Sequence, residues 1–433
     1  MRLIIVGFGP AGFAASLYAR KQNPEAEITV VDGKDYLAHN CYIPFALAGI
    51  VRLSDMKHDP MLGKMRINHI TYSKVVSVDK ENKKIEIEKK DGSREKLEYD
   101  KLIISTGSRS FVPKIEGIDG DNVYTLYSYE RVEALEKKIK ESSSALVIGA
   151  GAIGVETAFA LKKAGLQVSI AEAKETIMQN SFDSELAGYL QDEIKNSGIN
   201  LQLNSKVEKI NSKTAILNGS EIQADLIVLA TGVVPNAQLL DGIANSSRLG
   251  IAVNEHMQTS ANDIYAAGDC CEATNLITKK PCFSKLATTA YLQGMVAGVN
   301  AVGGQKKYAG TLTTFVSKFM SYEIASTGLT ENDARANGFD VVSSRINATA
   351  KPEVFPDNNK IILKLIAEKG SGRILGCQGF GFGAAERINL VAQAIYSNAK
   401  LGDLIDYENA YCPSVSKTYD MLKVATELCI RRL

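Results

Sequence analysis

The chain has 433 residues with 50 basic and 49 acidic side chains, a formal net charge of +1. That length is enough for about three domains of ordinary size, and so balanced a charge supplies no field to draw in nucleic acid or an anionic membrane. Seven cysteines are scattered without a C-x-x-C pair and four histidines lack helical pairing, which fits a reduced compartment and argues against a metal centre. Without a signal-peptide pattern or an apolar run of 18 residues, the expectation is a soluble cytoplasmic protein.

In chain order, the apolar strand Leu3-Ile4-Ile5-Val6 leads into Gly7-x-Gly9-x-x-Gly12, a helical stretch from Ala11 to Lys21, and a strand from Ile28 to Val31 that ends at Asp32. The glycines permit a tight turn and close approach of a pyrophosphate to a helix N-terminus, and an acid about 20 residues further on accepts ribose hydroxyls. An alternating stretch with Ile85, Ile87, Asp91-Gly92, Leu97 and Tyr99 predicts a hairpin. A strand from Lys101 to Ser105 closes this piece at Thr106-Gly107. Pro113 and residues 117–120 read as a crossing linker.

The plan then repeats. A strand from Ala145 to Ile148 precedes Gly149-x-Gly151-x-x-Gly154, a helix through Ala164, a strand from Val168 to Ala171, and Glu172. After another alternating region, the strand from Leu226 to Ala230 ends in Thr231-Gly232. The two fingerprints stand Gly149 − Gly7 = 142 residues apart, and the pair with both acids predicts two dinucleotide sites in one chain. Ile264 to Gly268 then delivers Asp269, an acid suited to a polyol. Beyond about Gly310 the pattern becomes α+β, with strands Ile361 to Ala367 and Ile374 to Gln378 and a helix from Ala384 to about Asn398. Such a terminal module serves more often as an interface than as a cofactor site.

These landmarks resemble the two-dinucleotide flavoproteins of the pyridine nucleotide-disulfide oxidoreductase family, and within it the single-cysteine branch of coenzyme A disulfide reductase, NADH oxidase and NADH peroxidase. The points of resemblance are the first fingerprint with Asp32, Asn40-Cys41-Tyr42-Ile43-Pro44-Phe45, Thr106-Gly107, the second fingerprint with Glu156, Thr231-Gly232-x-x-Pro235-Asn236, and Ala266 to Asp269. The resemblance implies an α/β fold with two Rossmann-like domains and a C-terminal α+β dimerisation domain. Residues 1–110 with 236–310 would bind FAD, 111–235 NAD(P)H, and 311–433 would form a homodimer. The first site would comprise Gly7, Gly9, Gly12, Asp32, Lys34, Asn40, Thr106, Gly107, Gly268 and Asp269. The second would comprise Gly149, Gly151, Ile153, Gly154, Glu172 and Gly232. Glu172 would repel a 2′-phosphate and so favours NADH over NADPH, with Lys174 two residues on opposing that preference.

Cys41 lacks the family's second cysteine, since Phe45 and Ala46 stand four and five residues on. A lone cysteine closes a redox cycle as a mixed disulfide or a sulfenic acid. The resemblance implies electron flow from NAD(P)H through FAD to Cys41. Its pKa is then expected below the unperturbed ~8.5. Packing beside Pro44 and Phe45 is the plainer alternative, and packing is expected of the other six cysteines. Pro10 replaces the histidine that oxidases and peroxidases of this branch carry, which favours thiol exchange. Phe355 and Val415 stand where coenzyme A disulfide reductases carry tyrosines, which leaves polysulfide, persulfide and coenzyme A persulfide open. Substrate-side candidates are Arg20, Lys21, His39, Tyr42 and Tyr419, with coenzyme A as substrate or as a mixed disulfide on Cys41; Lys64 and Arg66 are further cations by position. The alternatives are an NADH oxidase or peroxidase, a rubredoxin- or ferredoxin-type reductase with Cys41 a bystander, and a structural or sensory flavin-binding protein.

Overall fold

The computed structural model describes residues 1–59, 62–127, 129–356 and 360–433. They form two compact units. The first gathers Met1–Tyr42, Arg52–Phe111 and Val233–Thr311; the second gathers Ile43–Val51, Val112–Gly232 and Leu312–Leu433.

The first unit is built on a five-stranded parallel sheet in the order Ile264–Ala266, Lys101–Ile104, Arg2–Val6, Glu27–Val31, Asn68–Ile70. Its central strands are apolar on both faces because helices cover them, as parallel sheets require. Helix Pro10–Gln22 starts with proline at its first turn, where the missing N–H has no helical partner to lose. It buries Ala11, Ala14, Ala15 and Ala19, and helix Ala287–Ala301 approaches that small-residue face. A Cβ added to Gly294 would lie 2.1 Å from the Ala11 carbonyl oxygen, and one on Gly298 2.2 Å from that of Ala15. The predicted hairpin is two strands of a three-stranded antiparallel sheet, Ser73–Asp79, Lys84–Lys89 and Arg94–Glu98. Gly92 takes φ +83° in its turn.

The second unit repeats the parallel plan in the order Val123–Thr125, Leu226–Leu229, Ser144–Ile148, Gln167–Ala171, Asn200–Gln202, with helix Ala152–Lys163 following the central strand. The unit also holds a three-stranded antiparallel sheet, Val207–Ile210, Thr214–Leu217 and Ser220–Gln223, and a five-stranded antiparallel sheet in the order Phe315–Phe319, Tyr322–Gly328, Ile374–Gly381, Lys360–Glu368, Val341–Thr349. Helices Ala384–Tyr396 and Met421–Ile430 pack on the five-stranded antiparallel sheet.

Polar and charged groups tie the five-stranded antiparallel sheet to the start of helix Ser184–Asn196 and to helix Ala152–Lys163. The buried Lys364 ammonium lies 3.1 Å from Asp183, 3.2 Å from Glu185 and 3.0 Å from Glu331. Asp183 also accepts from Gln378 Nε2 at 2.8 Å and from the backbone N–H of Glu331 at 3.1 Å. Glu156, on helix Ala152–Lys163, accepts from the Ser317 hydroxyl at 2.6 Å. Burial raises the Glu156 carboxyl's pKa, and the serine hydrogen bond only partly offsets this. Among the described residues no helix is long and apolar enough to cross a membrane.

Candidate functional site: two glycine cradles and a cysteine turn

Both fingerprints fold alike because each glycine meets a different steric demand. Gly7 takes φ +95°, and a Cβ there would stand 2.4 Å from the Ser105 carbonyl oxygen; Gly12 lies so close to the turn that its Cβ would be 2.1 Å from Gly7 O. Gly9 has nothing within 4 Å of its Cβ position, which leaves the space a pyrophosphate needs at the start of helix Pro10–Gln22. In the second unit Gly149 takes φ +103° with Ala230 O at 2.6 Å, Gly154 would meet Gly149 O at 2.0 Å, and Gly151 again faces open space.

The acids match as well. Parallel registry places Val6 beside Val31, so Asp32 emerges next to the glycine turn and accepts from the Phe8 N–H at 2.6 Å and the Lys34 N–H at 2.8 Å. Glu172 accepts from Ala150 N–H at 2.8 Å and Lys174 N–H at 3.0 Å. These bonds aim each carboxylate while leaving oxygen lone pairs for ribose hydroxyls. Both cradles therefore fit a dinucleotide in shape and in donor chemistry. Ile153, in the first turn of the second cradle's helix, is exposed, whereas the Lys34 ammonium lies over the Tyr36 ring, 5.8 Å from its centroid.

At the same edge of the first unit's sheet, Gly268 takes φ +82° and its Cβ would approach Ala11 Cβ to 2.9 Å and Ala290 Cβ to 3.5 Å. The first turns of two helices thus converge on Gly268-Asp269. Burial raises the pKa of the Asp269 carboxyl, opposed by the Ser108 hydroxyl at 2.9 Å and by the charge of Lys285. Thr106 and Gly107 are tied to Asn236: the Thr106 hydroxyl donates to Asn236 O at 2.7 Å, and the Asn236 N–H donates to Gly107 O at 2.9 Å. Gly232 takes φ +100°, just ahead of strand Val233–Pro235, which pairs antiparallel with Ser108–Ser110.

Cys41 is exposed within the 3-10 turn Asn40–Tyr42, which runs directly into the short helix Ile43–Leu47. Tyr42 N–H donates to His39 O at 3.0 Å, and the two rings stack with centroids 5.2 Å apart at 17°. Burial, and then the neighbouring His58, hold the His39 imidazole below its ordinary pKa.

The remaining substrate-side candidates sit in other surroundings. The Arg20 guanidinium is spent on backbone carbonyls, donating to Met65 O at 3.0 Å, Pro24 O at 2.5 Å and Arg66 O at 2.7 Å; it ties a helix end to a turn. Lys21 Nζ lies over the Tyr18 ring at 4.9 Å. In the second unit, Tyr419 donates its hydroxyl to Glu427 at 2.6 Å, and the Phe355 ring lies 5.7 Å from Lys351 Nζ. Five of the six other cysteines are buried or half-buried; Cys412 departs from the packing expectation and is exposed, 3.2 Å from the Ser414 hydroxyl.

Three contributors carry no signal in a glycine or acid motif. The buried Ser105 hydroxyl lies 2.9 Å from the carbonyls of both Val6 and Gly7 and braces the first turn. Lys285 acts on Asp269, its own pKa lowered by burial against that attraction. His58 reaches His39 through strand pairing, with centroids 4.6 Å apart and the rings edge to face.

Two parallel Rossmann-type sheets, each with its glycine cradle, and a C-terminal antiparallel sheet define a two-dinucleotide oxidoreductase. Residues 1–294 match the family model described as pyridine nucleotide-disulphide oxidoreductase, and residues 314–422 match its dimerisation domain; the chain belongs to this family. It is 34% identical to an NADH oxidase of Methanocaldococcus jannaschii, over 100% of this chain and 99% of that one. It is 30% identical to a CoA-dependent NAD(P)H sulfur oxidoreductase of Pyrococcus furiosus, over 98% of each. Among solved structures, a NAD-dependent persulfide reductase from A. fulgidus superposes with TM-score 0.96 at 32% identity, covering 100% of this chain and 83% of that one.

Proposed function

We propose that the protein is an FAD-dependent, NAD(P)H-driven reductase of a small-thiol disulfide, persulfide or polysulfide, with Cys41 as its redox-active residue. The observation that carries the reading is the exposed Cys41 turn in a chain whose two glycine cradles each fit a dinucleotide. When bound, FAD and the pyridine nucleotide supply the two-electron chemistry. The chain's own part is to hold them and to present a thiolate. Gly7, Gly9, Gly12, Asp32, Lys34, Asn40, Thr106, Gly107, Gly268 and Asp269 serve the flavin site. Gly149, Gly151, Ile153, Gly154, Glu172 and Gly232 serve the nucleotide site, with Glu172 favouring NADH. Cys41 attacks the sulfur–sulfur bond of the substrate, forming a mixed disulfide and releasing one thiolate, as thiol–disulfide exchange requires.

Pro10 leaves the first turn without a side chain for the acid–base work of peroxide reduction, and the resemblance to sulfur and persulfide reductases supports the same direction. Coenzyme A is the proposed thiol carrier. The match of residues 314–422 to a dimerisation domain supports a homodimer. Residues 1–110 with 236–310, 111–235 and 311–433 are the proposed flavin, nucleotide and dimer domains.

Anaerobic titration with NADH tests the reading, with the flavin spectrum and the mass of the unreduced chain recorded together. The expected result is one NADH beyond that needed for the flavin and release of a small thiol from Cys41, with Cys41→Ser abolishing turnover on disulfide or persulfide. Full turnover by Cys41→Ser would overturn it. The resemblance to the M. jannaschii protein supports a second reading, reduction of oxygen or peroxide, for which Cys41→Ser would change the oxygen product rather than abolish sulfur turnover.

A further inference from the structure

The two parallel sheets end alike at the strand beyond the acid. After Asn68–Ile70, the Asp32 N–H donates to Ile70 O at 3.0 Å and the Ser73 N–H to Asp32 O at 3.1 Å. After Asn200–Gln202, the Glu172 N–H donates to Gln202 O at 2.9 Å and the Ser205 N–H to Glu172 O at 2.8 Å. Ser73 and Ser205 each turn their hydroxyl onto the carbonyl two residues back, Thr71 O and Leu203 O, both at 3.0 Å. Tyr72 and Asn204 therefore hold equivalent places, and both take left-handed backbone, at φ +50° and +51°. Asparagine enters that region readily and a bulky residue does not. The tyrosine of the first copy thus stands against backbone strain, and at 47% exposure burial in a core does not account for it.

We propose that Tyr72 is the aromatic wall on which the adenine of FAD packs in the first cradle. Strand order places the base. The glycine turn assigned to the pyrophosphate follows Arg2–Val6, the Asp32 carboxylate assigned to the ribose follows Glu27–Val31, and the next strand outward is Asn68–Ile70. In such sheets the ligand lies outside the carboxyl ends of the strands, so the base, beyond the ribose, reaches residues 71–73. The Tyr72 side chain crosses that mouth. Its hydroxyl donates to the Asp35 carboxylate, a bond that raises the phenol's pKa. Lys90 Nζ lies over the ring, 5.5 Å from its centroid, and the base takes the opposite face. A ring held at its tip has little freedom left to lose when a base stacks on it. Asn204 keeps the same backbone without a ring, which suits a nucleotide that must leave in every cycle.

Tyr72 has this role only if the first cradle holds FAD, the reading proposed above. The full chain, stripped of flavin, is titrated with FAD and separately with FMN, which lacks the adenosine half. Base–aromatic stacking changes affinity by about 5-fold to 150-fold. Tyr72→Asn, which puts the second cradle's residue into the first, is expected to weaken FAD by a factor in that range. Its affinities for FMN and for NADH should match wild type, and its urea midpoint without flavin should be equal or higher, because left-handed strain is relieved. Tyr72→Phe keeps the ring and should lose less. Wild-type FAD affinity in Tyr72→Asn would overturn the proposal. So would equal losses for FAD and FMN, equal losses in the two variants, or a lowered urea midpoint in Tyr72→Asn. Gly9→Val tests the underlying reading, since its side chain would enter the open space at the first turn. Unchanged FAD affinity in Gly9→Val would remove FAD from this cradle and the proposal with it. A loss there, beside wild-type affinity in Tyr72→Asn, would sink the proposal alone.

Discussion

The two glycines Gly149 and Gly151 are separated by one residue, and Ala substitutions at them should fail in opposite ways. At Gly149 a methyl would stand 2.6 Å from the Ala230 carbonyl oxygen and 3.0 Å from its carbon, on a backbone at φ +103°. Forcing an L-residue toward left-handed backbone costs roughly 1–2 kcal/mol and overpacking roughly 1–3 kcal/mol. Gly149→Ala should therefore lose about 2–5 kcal/mol of stability before any ligand is added. Gly151 has φ −76°, open to any residue, and nothing lies within 4 Å of its Cβ position. Gly151→Ala should leave the ligand-free fold unchanged or stabilise it by about 0.4–1 kcal/mol through the unfolded chain. The same methyl points into the open space we assign to the pyrophosphate, so NADH should bind at least about tenfold more weakly, a loss of ~1.4 kcal/mol, while the flavin is retained. Urea unfolding of both variants, with calorimetric NADH binding to Gly151→Ala, separates the effects. Equal destabilisation by the two substitutions, or wild-type NADH affinity in Gly151→Ala, would refute the assignment of that space.

Lys364→Met should destabilise the chain by roughly 3–5 kcal/mol in urea, because it strands Asp183 and Glu331 without their buried cation. The same variant should lose part of its pH dependence, because Lys364 is one of three donors that lower the Glu331 carboxyl. Burial alone would raise Glu331, but hydrogen bonds from Arg335, Ser343 and Lys364 hold it down at about 2, so its contribution is complete above the unfolded value and disappears as pH falls from ~4.3 toward 2. A flatter acid limb in Lys364→Met, followed by circular dichroism against pH, is the expected outcome. Glu172→Ser should raise the ratio of kcat/KM for NADPH over NADH by about tenfold or more; both absolute values should fall, because the Ala150 and Lys174 amides lose their acceptor. An unchanged coenzyme ratio would count against a ribose contact at Glu172.

The glycine cradles were legible because their constraints are local. A turn that admits no Cβ must be glycine wherever it occurs, and the next strand must end beside it, so spacing alone points to Gly7, Gly12 and Asp32, and again to Gly149, Gly154 and Glu172. Charges that meet across long separations leave a weaker trace. In the run Ile361 to Ala367 every residue but Lys364 is apolar. A lone lysine in a strand buried on both faces implies carboxylate partners, but nothing in the spacing names Asp183, far upstream, or Glu331. Segment Ile43–Val51 likewise gives no composition signal that it groups with the second unit rather than with the adjoining Cys41 turn. His58 is harder still, since two-residue strands have too little periodicity to register and only their pairing brings its ring to His39. Binding surfaces set by backbone sterics can therefore be read along the chain. The ring contact of His39 and His58 comes into being only when separate loops meet.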